Sequence, residues 1–228
     1  MDMKTPAIAV VLNDRDVLSL NKNLLKEVDL IELRVDMFEN IDRVEEIFAI
    51  AKEKFGVPLL CTVRAPEEGG KKKFDNRLNI YEKVMPYCDF FDIEIFAEEA
   101  KALRQLSKQN NIKLILSYHR FDLTPSEHEL EGIFEIGKKL NGDIIKIATM
   151  INTKEDVETL TFFLLRHKND KVIVIGMGEN GKITRILFPF FGSLITYASL
   201  NLSSAPGQIA LQDMINIFKK IGLTDKKR

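Results

Sequence analysis

The sequence predicts an α/β fold of the (β/α)8 barrel (TIM barrel) class, with a closed parallel sheet. Three observations support this class: eight short apolar runs rich in β-forming residues, segments of helical spacing between most of them, and a length of 228 residues, near that of one barrel. The chain has no internal linker or low-complexity tract. Residues 1–228 are therefore expected to form a single (β/α)8 domain.

The predicted strands share runs of aliphatic and aromatic residues with the length of a strand buried in a parallel sheet. In chain order they are AIAVVL (7–12), LIELRVD (30–36), VPLLCTV (57–63), FFDIEIF (90–96), IKLILSY (112–118), DIIKIAT (143–149), KVIVIGM (171–177) and SLITYAS (193–199). Because helical segments separate them, neighbouring strands are expected to run parallel.

The predicted helices carry acidic residues early and lysines late, an order that complements the helix dipole. The clearest of them are residues 41–56, 97–111, 126–142 and 153–170. Strand and helix thus alternate along the chain.

An open doubly wound sheet is the competing fold. Its dinucleotide fingerprint, GxGxxG after the first strand, is missing. The nearest glycine cluster, GMGENGK at residues 176–182, follows the seventh strand. A loop at that place could touch an anion in a barrel enzyme, so the cluster does not favour the open sheet.

Composition limits the partners and the compartment. Lysine and arginine number 33 against 34 acidic residues, so no net field attracts nucleic acid or an anionic membrane. The longest apolar tract, residues 186–200, is shorter than a membrane helix needs, and the run at 7–12 is too short for a signal peptide. Cys61 and Cys88 show no metal-ligand spacing. A soluble cytoplasmic protein with free thiols is expected.

Charged residues stand at the carboxyl ends of several predicted strands, where active sites of parallel barrels form. Within LIELRVD, alternation places Glu32, Arg34 and Asp36 on one strand face. The set comprises Glu32, Arg34, Asp36, Arg64, Asp92, Glu94, His119 and Lys146. They are either a compensated ion network that holds the strands in register or, in part, a functional site.

Lys146 stands inside an apolar strand, which makes it a paired structural charge or a nucleophile. A desolvated lysine near other cations, here Arg34, Arg64 or Arg185, can have its pKa lowered to about 7–8, where the free amine attacks a ketone. His119 is suited to proton transfer at neutral pH. An imine at the lysine would serve an aldolase or a dehydratase equally well. The other histidines, His128 and His167, lie in helical segments and look like surface residues.

Seven motifs identify a family. They are ELRVD (32–36), VRAPEEGG (63–70), DIEIF (92–96), SYHRF (117–121), KIATM (146–150), MGENGKITR (177–185) and SSAPGQI (203–209). In this order and spacing, the chain resembles the type I 3-dehydroquinate dehydratases, Schiff-base enzymes of the shikimate pathway. The resemblance runs nearly end to end and implies a (β/α)8 barrel.

The resemblance implies dehydration of 3-dehydroquinate to 3-dehydroshikimate in a homodimer, without a metal or organic cofactor. Lys146 would form the imine, His119 would be the general acid/base, and Glu68 would orient it. The residues implied in substrate binding are Glu32, Arg34 and Arg64 for the ring hydroxyls, Arg185 for the carboxylate, and Ser204 and Gln208 beside it.

The chain departs from the family pattern at three positions. Val11 stands where many members have a serine, Arg120 where an aspartate is common, and Tyr197 where a phenylalanine is common. Residues 205–207 are a turn signal, interpreted as a lid over the imine or as a plain loop before the last helix.

Two alternative functions remain on the same fold: a lysine aldolase, and a non-catalytic barrel that binds a small acidic metabolite.

Overall fold

The computed structural model describes residues 6–200 and 205–223. In these ranges the chain forms nine strands: β1 (Ala7–Leu12), β2 (Leu30–Arg34), β3 (Leu59–Thr62), β4 (Phe90–Glu94), β5 (Lys113–Arg120), β6 (Ile144–Met150), β7 (Val172–Met177), β8 (Ile195–Ser199) and β9 (Ile209–Ala210). The α-helices are α1 (Asp14–Ser19), α2 (Val44–Phe55), α3 (Arg77–Val84), α4 (Ala100–Gln109), α5 (Glu127–Lys139), α6 (Lys154–Arg166), α7 (Thr184–Phe191) and α8 (Leu211–Lys220).

All nine strands belong to one parallel sheet, in the order β7-β6-β5-β4-β3-β2-β1-β8-β9. Consecutive strands are neighbours from β1 to β7, and β8 returns to pair with the other edge of β1. The parallel α/β fold predicted from the alternation is confirmed, as a curled sheet. The two-residue β9, which pairs with β8, was not predicted.

The predicted closed ring is not fully paired in the described ranges. No ladder joins β7 to β8 there; instead the Leu194 N–H donates to the Val172 carbonyl at 2.9 Å, and the Ser193 hydroxyl accepts the Val174 N–H at 3.0 Å. Nearby, the Gly178 N–H donates to the Pro206 carbonyl at 3.2 Å. Contacts from loop residues therefore stand where the prediction required a strand pair.

The core has two parts because strand side chains alternate between the two faces of the sheet. Ile31, Leu33 and Ile147 belong to the larger cluster, which lies between the sheet and the helices. Leu30, Ile115 and Ile144 belong to a smaller cluster on the inner face. The same alternation places the next residues of the inner phase one step closer to the carboxyl ends of the strands.

The predicted helices form at the expected places, and local signals explain their starts. Ser126 and Thr153 begin α5 and α6 as N-caps in capping boxes with Glu129 and Asp156. Acidic first turns and basic last turns are present in α5, as the sequence predicted. Each cap satisfies backbone N–H groups that have no partner inside the helix.

Helix α7 contains a proline and still continues, which the apolar tract 186–200 did not reveal. Pro189 has no N–H to donate to the carbonyl of Arg185, four residues earlier. The Thr196 hydroxyl of β8 donates to that carbonyl instead, at 2.9 Å. Pro189 thus leaves the Arg185 carbonyl free to accept the bond that joins α7 to β8.

Two sequence interpretations need correction. Asp36 does not continue strand β2 but lies in the 3-10 turn Val35–Met37 that follows it. His167 is not a surface residue: it is buried, with one ring nitrogen 2.8 Å from Glu131 and the other 3.1 Å from Asp170. The two carboxylates give the buried imidazole hydrogen-bond partners, which offset the cost of removing it from water.

None of the helices that the structure describes has the length and apolar character that crossing a bilayer requires.

Candidate active site

A cavity of about 490 Å³ opens where the parallel strands end at their carboxyl side. This is the face at which parallel barrel enzymes carry their sites. Its lining comprises Val11, Glu32, Arg34, Arg64, Glu68, Gly69, Lys71, His119, Phe121, Lys146, Ala148, Ile175, Met177, Arg185, Tyr197, Ala205, Pro206 and Gln208. Every residue to which the resemblance gives a role, within the described ranges, is in this set, whereas Asp36, Asp92 and Glu94 are not. Ser204, the remaining one, lies outside the described residues.

Lys146 projects from the middle of β6 and is 5% exposed. Its ammonium nitrogen lies 3.2 Å from Oδ2 of Asp92 and 4.7 Å from the ring centroid of Tyr197. The amine is thus both paired with a carboxylate and part of the cavity wall. This geometry agrees with both sequence interpretations of Lys146, a paired charge and a nucleophile that lines a cavity.

His119 and Glu68 form a hydrogen-bonded pair at the cavity edge. Oε2 of Glu68 lies 2.9 Å from Nδ1 of His119 and accepts the His119 backbone N–H at 2.8 Å. Gly69 and Gly70 follow Glu68, and a side chain at Gly70 would meet the Arg64 carbonyl at 2.1 Å. The EEGG sequence therefore permits the tight loop that brings the carboxylate to the imidazole.

The environment of this pair shifts both proton affinities. Burial raises the pKa of Glu68 to about 7, against the opposing effect of the Arg64 charge. Burial, with the positive charges of Arg64 and Lys146, lowers the pKa of His119 well below its ordinary value. The imidazole is therefore held neutral at neutral pH, the form that can accept a proton.

Arg64 is the centre of a buried ion network beneath the cavity. Its guanidinium donates to Asp92 at 2.6 Å, to Glu94 at 2.9 Å and to the Ser117 hydroxyl at 2.7 Å. The charges of Arg64 and Lys146 hold the pKa of Asp92 at about 2, although burial alone would raise it. The predicted ion network is therefore present at Asp92 and Glu94.

Two further pairs hold the ends of β2 and β3. Arg34 binds Asp36 through two bonds of 2.7 and 2.8 Å, and Asp36 also accepts the Lys71 backbone N–H at 3.0 Å. The Thr62 hydroxyl donates to Glu32 at 2.6 Å. Glu32 and Arg34 both line the cavity.

Arg185 is buried without a carboxylate partner among the described residues. Its guanidinium donates to the carbonyls of Gly207 at 2.9 Å, Pro206 at 3.1 Å and Tyr197 at 3.5 Å. Burial lowers its pKa to about 10. A buried cation satisfied by neutral carbonyls alone is costly, and an anion in the cavity would relieve the cost.

The loop that bears Pro206 and Gly207 closes on the glycine-rich turn after β7. Gly207 has φ of 75°, and a Cβ there would meet the Gly178 carbonyl at 2.1 Å. Glycine is the residue that this contact tolerates. The same loop brings Ala205, Pro206 and Gln208 to the cavity wall, so the sequence 205–208 is part of the site.

Sequence reasoning missed several residues that support the site. Thr62 and Ser117 precede Arg64 and His119 by two positions, so strand alternation was the signal that could have found them. Arg77 had no such signal; from α3 it donates to Glu94 at 2.5 Å. In the described part of the chain, no group of three or more His, Cys, Asp or Glu side chains is arranged to hold a metal ion.

Replacing Asp92 with asparagine should destabilise the fold by about 3–5 kcal/mol, because Arg64 and Lys146 would lose a buried counter-charge. Urea unfolding measures the change. The pKa of Asp92 is about 2 in the folded protein, below the value of 3.8 for an unperturbed aspartate. Its charge therefore stabilises the fold fully above pH 3.8, and this stabilisation is lost as the pH falls through about 2. Asp122→Asn removes an exposed carboxylate paired with Arg120 and should leave stability unchanged. Equal midpoints for wild type and Asp92→Asn would contradict the network.

The fold and the cavity place the protein among α/β enzymes whose site lies at the carboxyl ends of parallel strands. A model of the type I 3-dehydroquinase family matches residues 7–225. The chain belongs to this family.

Relatives of known identity agree with the assignment. The chain is 62% identical to the 3-dehydroquinate dehydratase of Thermodesulfovibrio yellowstonii over 218 residues, 96% of each protein. The crystal structure of the Aquifex aeolicus 3-dehydroquinate dehydratase is 37% identical with a TM-score of 0.83, covering 94% of this chain and 98% of that one. The Clostridium difficile type I enzyme, solved with covalent modified comenic acid, is 28% identical with a TM-score of 0.87, covering 96% and 93%.

Proposed function

We propose that this protein dehydrates 3-dehydroquinate to 3-dehydroshikimate through an imine at Lys146. One observation carries the proposal: a single cavity is lined by a buried amine, an imidazole–carboxylate pair and a guanidinium without a carboxylate partner among the described residues. These groups match a substrate that has a ketone, an acidic proton beside it and a carboxylate. The names of the relatives support the choice of substrate.

The amine of Lys146, once neutral, attacks the ketone carbon to give a carbinolamine, and loss of water from it leaves the imine. Asp92, 3.2 Å away, is placed to stabilise the cationic form of that imine, and the Tyr197 ring offers it a π-face. The imine acidifies the adjacent C–H bond. The Clostridium difficile type I enzyme was solved with covalent modified comenic acid, and covalent chemistry in a relative supports the choice of a nucleophilic mechanism.

His119 is assigned the proton transfers. With a proton on Nδ1 directed at Glu68, Nε2 carries the lone pair that removes the acidic α-proton and leaves an enamine. The enamine electrons then expel the β-hydroxyl, which takes the proton from His119 and departs as water. Hydrolysis of the remaining imine returns the Lys146 amine and releases 3-dehydroshikimate.

The remaining cavity residues bind the substrate. Arg185 takes the carboxylate, because its planar fork matches two carboxylate oxygens and it has no other anion among the described residues. Gln208 and Ser204 complete that side. Glu32, Arg34 and Arg64 take the ring hydroxyls, with the pairs to Thr62, Asp36 and Asp92 fixing their orientation.

Several wider features belong to the same proposal. The sheet is a closed (β/α)8 barrel, supported by the Leu194–Val172 bond at the seam, and residues 1–228 form one catalytic domain. The enzyme is a cytoplasmic homodimer of the shikimate pathway. It needs no metal or organic cofactor, because the imine itself accepts the electrons.

Incubation with 3-dehydroquinate tests the proposal, because the product has a conjugated double bond that absorbs in the ultraviolet. We expect the absorbance to rise, and chelator treatment to leave the rate unchanged. Carbon–carbon cleavage products would identify an aldolase instead. Saturable binding without any product would identify a metabolite-binding barrel.

Arg185→Met should raise KM for 3-dehydroquinate roughly 10- to 100-fold, the value of a hydrogen bond to a charged group, with a smaller effect on kcat. Arg185→Lys keeps the positive charge but loses the planar fork of donors, so its KM should lie between those of wild type and Arg185→Met. Steady-state kinetics measure both. Arg166→Met, on the exposed face of α6, is the matched control and should keep the wild-type KM. An unchanged KM in Arg185→Met would contradict the carboxylate assignment.

Glu68→Gln should change the pH dependence of turnover. Because the pKa of Glu68 is about 7, wild-type kcat/KM should increase as pH rises through about 7 and the carboxylate ionises beside the imidazole. Glutamine can still accept the Nδ1–H but carries no charge, so the increase should disappear and the plateau should drop roughly 10- to 100-fold. The same increase in Glu68→Gln would assign it to another group.

A further inference from the structure

Arg77 is a buried cation that the proposed mechanism does not use. It is the first residue of α3, is 8% exposed, and lies outside the wall of the active-site cavity. Its guanidinium makes four hydrogen bonds, to Glu99, to Glu94 and to the carbonyl of Val63. Because a buried charge is costly unless its partners compensate it, the partners of these bonds indicate why the chain has an arginine here.

The guanidinium has an outer and an inner edge. The outer edge, formed by Nε and one terminal nitrogen, binds the two oxygens of Glu99 at 3.0 and 2.7 Å. Glu99 is the N-cap residue of α4, so this pair joins α3 to α4. The other terminal nitrogen donates to Glu94 at 2.5 Å and to the Val63 carbonyl at 3.2 Å. A tie between the two helices needs only the outer pair, so the inner edge requires another explanation.

The inner edge holds the main chain on both sides of Arg64. Arg77 itself binds the Val63 carbonyl, and Oε1 of Glu94 accepts the Ala65 N–H at 2.9 Å. The same oxygen accepts from the Arg64 guanidinium at 2.9 Å, while the other oxygen of Glu94 accepts from Arg77. Arg77 and Glu94 together therefore fix the chain that follows β3, and with it the residue whose guanidinium lines the cavity.

The loop that carries Glu68 begins at the same point. The Ala65 carbonyl accepts the Glu68 N–H at 3.1 Å, so the loop is built on the residue whose N–H Glu94 holds. Glu68 in turn binds the His119 backbone N–H at 2.8 Å and Nδ1 of the imidazole at 2.9 Å. A continuous chain of contacts thus leads from Arg77 through Glu94 to the imidazole.

Charge is transmitted along the same route. Burial would raise the pKa of Glu94, but Arg64 and further donors, Arg77 among them, hold that pKa below its ordinary value. Burial raises the pKa of Glu68 to about 7, and the charged side chains that act on it are Arg64, which lowers it, and Glu94 and Asp92, which raise it. Without Arg77, Glu94 would have one cationic partner among the described residues, so its negative charge would act more strongly on Glu68.

We propose that Arg77 is a positioning residue for the dehydration: through Glu94 it holds Arg64 and the loop that follows in the geometry that the reaction requires. This inference rests on the proposed function for the reaction that it serves. It assigns a role to a side chain on a helix outside the sheet. It also explains why Glu94 is buried and ionised although it does not line the cavity.

Arg77→Met tests the proposal, because it keeps an apolar stem and removes the donors. We expect kcat to fall about 2- to 30-fold with a smaller change in KM, since a displaced Glu68 affects proton transfer more than binding. The rise of kcat/KM with pH should also move to higher pH. Glu99→Gln is the matched control, because it breaks the outer pair of the same arginine. Any loss of Tm in Glu99→Gln should come without a change in kcat or in the pH profile.

A cation supplied from solution tests the same role in Arg77→Ala. Arg77 lines a second cavity of about 480 Å³, which shares Arg64 and Glu68 with the first, so the space that the side chain leaves is open to a small ion. Guanidinium at about 20 mM, far below the molar range in which it denatures proteins, should restore part of the lost kcat. Urea, which has a similar shape but no charge, should not restore it. Neither compound should change the rate of wild type.

The titration of Glu68 is a readout that needs no substrate. Carboxyl NMR should give a pKa of about 7 in wild type and in Glu99→Gln, and a higher pKa in Arg77→Met. An unmoved titration, or wild-type kcat in a folded Arg77→Met, would overturn the positioning role, as would equal kinetic effects of Arg77→Met and Glu99→Gln. If neither variant at Arg77 folds, Glu94→Gln cuts the same link, and wild-type kcat there would overturn the role.

The two proposals fail in different ways. An inactive wild type whose Glu68 titration still moves in Arg77→Met would remove the proposed function and support the link from Arg77 to Glu68. An active wild type whose titration does not move would retain the function and remove the link.

Discussion

Lys146→Arg is expected to abolish turnover of 3-dehydroquinate, with a loss of order 10⁴- to 10⁶-fold, as when an enzyme loses its covalent nucleophile. Arginine keeps a cation beside Asp92, so the buried network retains its charge balance. A guanidinium does not lose its proton in proteins and cannot form an imine. Single-turnover and steady-state assays of the purified variant measure the loss.

The control for this variant is Lys138→Arg, an exposed lysine of α5 paired with Asp170. It should keep full activity and stability. Unfolding of Lys146→Arg by urea should give nearly the wild-type midpoint, which separates a chemical loss from a folding loss. Substantial turnover by a folded Lys146→Arg would mean that the reaction does not pass through this amine.

His119→Ala is expected to lower kcat by about 10²–10⁴-fold, the contribution of a general acid/base. The variant should still condense with the substrate, because the Lys146 amine is intact. Imine should therefore accumulate and be trapped by borohydride in larger yield per turnover than in wild type. Quenched-flow assays with mass detection of the trapped protein measure both quantities.

His128→Ala, an exposed residue of α5, is the matched control and should behave as wild type. Near-normal turnover in His119→Ala would remove the acid/base assignment from this residue. Glu68 and Glu94 would then be the next candidates, since Glu68 lies in the same cavity and Glu94 supports Arg64 beneath it.

Strand alternation accounts for most of what the sequence predicted. Glu32 and Arg34 on β2, and Lys146 on β6, share the inner phase with apolar residues one layer below, such as Leu30 and Ile144. A polar residue on that phase near the carboxyl end of a strand lies at the cavity wall, as Glu32 does, or in the ion network beneath it, as Asp92 does. Alternation could therefore place the strand residues before the sheet was known, whereas the roles of Glu68, Arg185, Ser204 and Gln208 were expected from the family resemblance.

Features that depend on contacts between distant segments could not be predicted in this way. Asp36 was placed on β2 because its phase fits, but the chain turns after Arg34 so that the carboxylate can bind the Arg34 guanidinium. His167 was taken for a surface residue because its own helix does not reveal Glu131, which lies 36 positions away. Arg77 reaches Glu94 from a helix with no motif.

The end of the sheet shows the same limit. The pairing of β9 with β8 and the bond from Gly178 to Pro206 join segments that follow different strands. Local propensity does not specify which loop meets which edge of a sheet. The turn signal at residues 205–207 was visible, but its contact with Arg185 depends on the glycine-rich turn after β7 and on Pro189 in α7.

The most direct measurement is reduction with borohydride during turnover of 3-dehydroquinate, followed by peptide mass spectrometry. An imine between Lys146 and the ketone would be reduced to a stable amine, so the account predicts loss of activity and a substrate-derived mass on the peptide that contains Lys146. Reaction without substrate should leave that peptide unmodified. An enzyme that turns over the substrate and keeps Lys146 unmodified under borohydride would contradict the account.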